Sequence, residues 1–162
     1  MTTVQPIASP VVRDVLTAVR DWRWSWSADE LPALLAHLHW TVAVQIPDGA
    51  VLAEPQWGVP GLRNTISVAR GSVQYVDIKL STRAPERSEQ TLADLNDAFV
   101  QVVADATAVL GPADESLPGA APAQRWRLPN GVLTITRSSW TVSANWAEPQ
   151  FAASDPQTAG VA

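Results

Sequence analysis

Cysteine is absent from this chain of 162 residues, so disulfide staples, thiol nucleophiles and cysteine-ligated zinc or iron–sulfur sites are excluded at once. Lysine is nearly absent: Lys79 stands alone among eleven basic residues, the rest being arginine. Against sixteen acidic residues this gives a formal charge of −5, which opposes the positive face that a nucleic-acid binder turns to phosphate. No nucleic-acid partner is expected. No uncharged apolar run reaches the roughly 18 residues of a membrane span, and Met-Thr-Thr-Val-Gln-Pro at the start lacks a basic region followed by an apolar stretch. No membrane partner is expected either, and the expected location is the cytoplasm. Phosphate-cradling Gly-x-Gly-x-x-Gly and Walker loops, His-Glu-x-x-His and Gly-x-Ser-x-Gly are all missing. His37 and His39 are the only histidines, and on a helix an i, i+2 pair points about 200° apart, a poor geometry for one metal. The paired carboxylates Asp94/Asp97 and Asp114/Glu115 read as solvated surface. The expectation is a non-enzymatic protein without metal or cofactor.

What is present begins with Ser88 to Gly111. Leu92, Leu95, Phe99, Val102, Val103, Ala106, Val109 and Leu110 recur with the period of an amphipathic helix. Thr91 with Asp94 predicts its N-terminal cap, and Gly111-Pro112 its end. Two shorter helices are predicted upstream. Ser9-Pro10 supplies a hydroxyl cap and a first-turn proline ahead of Val12, Val15, Leu16, Val19 and Trp22. Near Glu30 to His39, Leu31, Leu34, Leu35 and Leu38 form a stripe; Asp29 is preferred to Ser27 as its cap because Pro32 then falls in the first turn. Between them Trp22-Arg-Trp-Ser-Trp26 alternates as an extended segment would, placing three indoles on one side.

The remaining signals are of strands. Trp40 to Ile46 alternates, with Trp40, Val42, Val44 and Ile46 on one face, and stops at Pro47-Asp48-Gly49. Ala50 to Glu54, Asn64 to Val68 and Val73 to Leu80 follow, the last two joined at Arg70-Gly71. Arg125 to Leu128 and Val132 to Arg137 bracket Pro129-Asn130-Gly131, and Trp140 to Trp146 completes a meander. Gly111 to Gln124 has no period and is expected to be a connection. The fold class expected is therefore α+β: a mainly antiparallel sheet of about six or seven strands with helices packed on one face. It forms a single two-layer domain over residues 1–146, and residues 147–162 form a flexible tail.

Eight tryptophans are the unusual feature of the composition. Trp22, Trp26, Trp40, Trp126 and Trp146 fall in phase with other apolar residues and are expected in the core. Trp57, in the loop Trp57-Gly-Val-Pro-Gly61, and Trp24, beside Arg23, are the candidate interface anchors. Asp94, Asp97 and Asp105 are expected on one side of the long helix, opposite Phe99 and Val102, as an acidic row that could address a basic partner.

Taken in order, Trp22-x-Trp24 before a leucine-rich helix ending at Trp40, a central helix closing in Val109-Leu110-Gly111-Pro112, then Pro118-Gly119 and Arg125-Trp126-Arg127, resembles one known family. It is the uncharacterised actinobacterial family catalogued as domain of unknown function 6301, and the likeness spans Trp22 to Trp146. The arginine, alanine, valine and proline richness fits a high-GC bacterial origin. The resemblance implies no activity. By analogy with small acidic α+β proteins of such bacteria, the expected function is protein binding, as an immunity-type inhibitor of a secreted polymorphic toxin with a basic toxin domain as partner. A chaperone or adaptor for a secreted substrate, and an enzyme whose pocket gathers His37 or His39 with a carboxylate and a buried arginine, are the alternatives.

Overall fold

Turn chemistry sets the sheet. Arg70 (φ 54°) and Gly71 (φ 76°) both take positive φ, which a two-residue hairpin loop requires if its twist is to match that of its strands. They join β3 (Asn64–Ala69) to β4 (Ser72–Lys79). Upstream, Asp48 (φ 51°) lies in the turn from β1 (Thr41–Ile46) to β2 (Ala50–Glu54). In the second half, β6 (Ala123–Leu128) turns through Pro129-Asn130 into β7 (Gly131–Arg137), which returns as β8 (Val142–Ala147). The computed structural model, which describes residues 4–154, joins these with a short β5 (Glu115–Leu117) into one sheet ordered β1-β2-β3-β4-β8-β7-β6-β5. Every pairing in it is antiparallel. β5 is the strand that the connection Gly111 to Gln124 hides.

Three helices cover one face. α1 (Ser9–Asp21) buries Val12, Val15, Leu16 and Val19 as its period requires. Its cap is Ala8 with no side-chain bond, and Ser9 instead accepts a hydrogen bond from Gln101 Nε2 at 3.0 Å. Ahead of α2 (Leu31–Leu38), the Ser27 hydroxyl accepts from the Asp29 amide and caps a 3-10 turn, Ala28–Glu30. Glu30, not Asp29, then caps α2 and leaves Pro32 in its first turn, where no amide is needed. α3 (Glu89–Leu110) starts one turn before the expected cap: the Ser88 hydroxyl accepts from the Thr91 amide, and Thr91 Oγ1 accepts from the Ser88 amide. Gly111, at φ 85°, ends it.

α3 is also rotated relative to its expected stripe. Thr91, Leu95, Ala98, Val102, Asp105 and Ala106 are buried, Phe99 is half-buried, and Leu92 is 42% exposed. The cause is that α3 lies against α1 as well as against β7 and β8, so the buried arc extends to the side that carries the small Ala98. Among the described residues no helix is long and apolar enough to cross a membrane.

Tryptophans fill the centre. Trp26, Trp40, Trp126 and Trp146 are buried, whereas Trp22 is half-buried. Gly131 lies beneath this cluster: a Cβ there would stand 2.6 Å from the Ala147 carbonyl oxygen and 2.9 Å from the Trp26 ring. The same hairpin reaches the end of α1, where Asn130 Nδ2 donates to the Val19 and Trp22 carbonyls at 2.6 Å each. It thereby adds a second donor to the Val19 carbonyl, which also accepts from the Trp22 amide, and to the Trp22 carbonyl, which also accepts from Arg23.

A flexible tail from residue 147 is not what the described residues show. Ala147 closes β8, and Pro149–Ser154 forms α4. Ala152 is buried with Val132 and Ala147, and Phe151 packs on Tyr75 with ring centroids 5.6 Å apart. This small apolar cluster is separate from the main core, and its strand positions face away from those of Trp146 and Leu133. Residues 155–162 of the expected tail lie outside the described residues.

Candidate partner-binding cleft

The residues nominated from sequence do not form one surface. Trp24 is half-buried, with its ring 4.8 Å from that of Trp26 and 5.6 Å from that of Trp146. It closes the tryptophan cluster and does not stand free as an anchor. The expected alternation fails at Trp26, whose φ of 64° turns the chain, and Trp22 goes elsewhere to stack on His37 at 4.8 Å.

The acidic row is likewise dismantled. Asp105 is 3% exposed and accepts from Arg13 Nε at 3.0 Å across the α1–α3 contact. Asp94 is half-buried and accepts from Gln90 Nε2 at 2.9 Å; Asp97 alone is fully on the surface. Helical geometry explains this. Eleven residues at about 100° each bring Asp105 within about 20° of Asp94, at the border of the buried arc, whereas Asp97 points about 60° away from Asp94 on the other side. An aspartate at that border is buried if the neighbouring helix supplies a cation, and Arg13 does so.

Trp57 has a more specific setting. It is half-buried, edge-to-face against Trp40 with centroids 6.3 Å apart, and it forms one wall of a cleft of about 520 Å³. α1 contributes Asp14, Thr17 and Asp21 to this cleft, the end of α2 contributes His37 and His39, and the loop before β3 contributes Gln56. No lysine or arginine lines it. Asp14 and Asp21 are seven residues apart, hence on one face of α1 and about 10 Å apart along its axis.

Each wall is fixed by its own contacts. His39 ends α2 in the left-handed region, φ 59°, which turns its side chain off the helical period and lets both histidines reach the cleft. His37 donates from Nε2 to the Ala18 carbonyl at 3.2 Å, and Gln56 donates to Thr41 Oγ1 at 2.7 Å. Arg20 donates to Asp21 at 2.8 Å, and this bond holds the Asp21 carboxyl below the usual carboxylate range. Asp21 is therefore ionised throughout ordinary pH. Asp14 is exposed and has no ion-pair partner among the described residues.

Two carboxylates beside an indole suit a cationic side chain, which gains charge pairing and the ring face together. Metal chemistry has less to work with: no three His, Asp or Glu side chains among the described residues converge on one point. Asp14 and Asp21 escaped the sequence reading, in which His37 and His39 figured as site residues only in the enzyme alternative. The i, i+7 spacing of the aspartates was the available signal, but what makes them a site is the Trp57 loop, brought over by the sheet.

A family model described as a family of unknown function, DUF6301, matches residues 10–148, a span that includes the whole cleft. No curated protein matches the chain. Among solved structures, the crystal structure of a DUF4309 family protein (YjgB) from Bacillus subtilis subsp. subtilis str. 168 is similar at 10% identity. The match has a TM-score of 0.43 and covers 87% of this chain and 97% of that one.

Proposed function

The chain belongs to the DUF6301 family, a family of unknown function, and we propose from its own surface that it is a protein-binding domain whose cleft receives a basic segment of the partner. The observation that carries this reading is the lining itself: Asp14, Asp21 and Trp57 in one concavity that no lysine or arginine enters. The net charge of −5 supports it, because an acidic body steers a basic partner towards the cleft. In its specific form the reading is an immunity-type inhibitor acting in the cytoplasm, with a basic segment of a toxin domain as the partner surface. The chaperone reading loses support, since Trp24 is packed on Trp146 and does not line the Trp57 cleft.

One observation favours a second reading. Both histidines line the same cleft as two carboxylates, a composition that acid–base chemistry can use, although the arginine at hand, Arg20, is half-exposed and bonded to Asp21.

The first reading is tested by titrating isotope-labelled protein with an arginine-rich peptide and with its glutamate counterpart. Resonances of His37, His39 and the Trp57 indole are expected to shift with the basic peptide only, less at high salt. Asp14→Asn combined with Asp21→Asn should abolish the shifts. Equal responses to both peptides, or responses that the double variant retains, would overturn the cleft as the binding site. For the immunity form, co-expression with a toxin encoded by the adjacent gene should restore growth, and Asp14→Arg with Trp57→Ala should lose that protection.

A further inference from the structure

β1 is a sheet edge guarded by neither charge nor proline. All six of its residues are exposed, and Val42 (48%), Val44 (38%) and Ile46 (54%) are three of the five large apolar side chains that the described residues leave in water. Among the described residues no strand pairs with its outer side. Natural edge strands are protected by charge, proline, shortness or a bulge. Thr41-Val-Ala-Val-Gln-Ile46 contains no charged residue and no proline, and it spans about 20 Å at the usual rise. It does have a bulge: the register shifts between Val42 and Val44.

That bulge distributes the apolar side chains over both faces, where the sequence alone places them on one. Val42 pairs with Ala53, which is on the helix-bearing face with Val51, whereas Val44 pairs with Leu52 on the other. Beside β1, α2 stops short of the edge and leaves a groove of about 220 Å³, lined by Leu31, Leu35, Val42, Ile46, Val51 and Val68.

We propose that β1 is a self-association edge: two copies of this chain pair their β1 strands antiparallel about a two-fold axis, joining two eight-stranded sheets into one. A strand that meets its own copy across a two-fold perpendicular to the sheet is necessarily antiparallel, and the patch must be complementary to itself. β1 meets that condition. Two copies of a chain at −5 repel one another, and this stretch is where they meet without opposing like charges. Antiparallel pairing also directs the His39 end of each strand towards the Asp48 end of the other, both residues being exposed. Strand pairing alone falls short of the ~800 Å² per partner that a stable interface buries. Apolar side chains on both faces, and the groove under α2, supply contact beyond the backbone ladder. The groove under α2 shares no lining residue with the cleft, although His39 and the Gln56–Thr41 hydrogen bond bring the cleft to the start of β1.

Sedimentation of the full chain from about 1 to 200 μM tests it. A monomer–dimer equilibrium is expected, and Val44→Lys, which sets two like charges across the two-fold, should weaken it by about tenfold or more. Since the chain has no cysteine, Val44→Cys should give an oxidised covalent dimer on a non-reducing gel, and Ser116→Cys at the opposite edge should not. Circular dichroism of each variant checks that the fold persists. A wild-type chain that stays monomeric throughout, or a dimer that Val44→Lys leaves intact, would overturn the proposal; either result leaves the peptide titration at the cleft unaffected.

Discussion

At one edge of the sheet is β5, three residues long, and at the other is β1, six residues long. Glu115 of β5 accepts from Arg125 at 3.2 Å and also from Arg127, and Asp114 beside it accepts from the Arg127 amide at 2.7 Å. Arg125 is fully buried by the structure around it. β1 has no charged side chain, and its apolar residues face water. The same protein thus protects one edge with shortness and charge and leaves the other accessible, although both devices were available to it. An edge left in that state is either a hazard or an interface.

The difference is broken most severely from the protected side. Trp126, in the strand next to β5, is 1% exposed and donates from its indole to the Gly111 carbonyl at 2.8 Å. Trp126→Ala removes a buried ring together with the bond that holds the end of α3, and should cost about 3–5 kcal/mol in chemical denaturation. A loss under about 1 kcal/mol would mean that this half of the sheet does not hold the core.

Two leucines of α3 sharpen the comparison with buried and exposed positions of one helix. Leu95 is fully buried and Leu92 is 42% exposed, although the sequence period places both on one stripe. Leu95→Ala should cost about 2–5 kcal/mol and Leu92→Ala about 1 or less. Equal losses would restore the expected stripe and refute the rotated one.

Turn and cap chemistry made much of the fold legible beforehand. The hairpins at Arg70-Gly71 and Asn130-Gly131, the end of α3 at Gly111, the antiparallel sheet with its helices on one face, and membership of the family followed from local residue types. What escaped depends on neighbours distant in sequence. β5 is too short to show a period and exists because β6 lies beside it. α4 is six residues of small and polar character, seated by Tyr75 and Val132. Asp105 looked like surface because nothing in its own helix shows that Arg13 faces it. β1 looked like a strand with one apolar face because its alternation is regular; whether such a face is covered depends on the reach of α2, which is only eight residues long. The cleft was illegible for the same reason, since three separate segments build it.

A milder test at the protected edge is Glu115→Gln, which keeps the shape of the side chain and removes its charge from the bonds with Arg125 and Arg127. The carboxylate is 31% exposed, so the loss should be about 1–3 kcal/mol, less at high salt. A variant as stable as the wild type would mean that β5 is held by backbone pairing alone.

The smallest effect on the fold belongs to β1, and there the edges separate most clearly. Val44→Thr replaces an exposed methyl by a hydroxyl on a strand that already favours β-branched residues, so in dilute solution stability should change by no more than about 0.5 kcal/mol. Concentration is the discriminating variable. If β1 pairs with its copy, the association stabilises the folded state by mass action, and the wild-type denaturation midpoint rises with protein concentration. Val44→Thr should flatten that dependence while leaving the dilute midpoint in place, and Glu115→Gln should lower the midpoint at every concentration by the same amount. A wild-type midpoint that does not move between about 1 and 100 μM would show that both edges are inert towards further chains in this range, and that β1 relies on its bulge alone for protection.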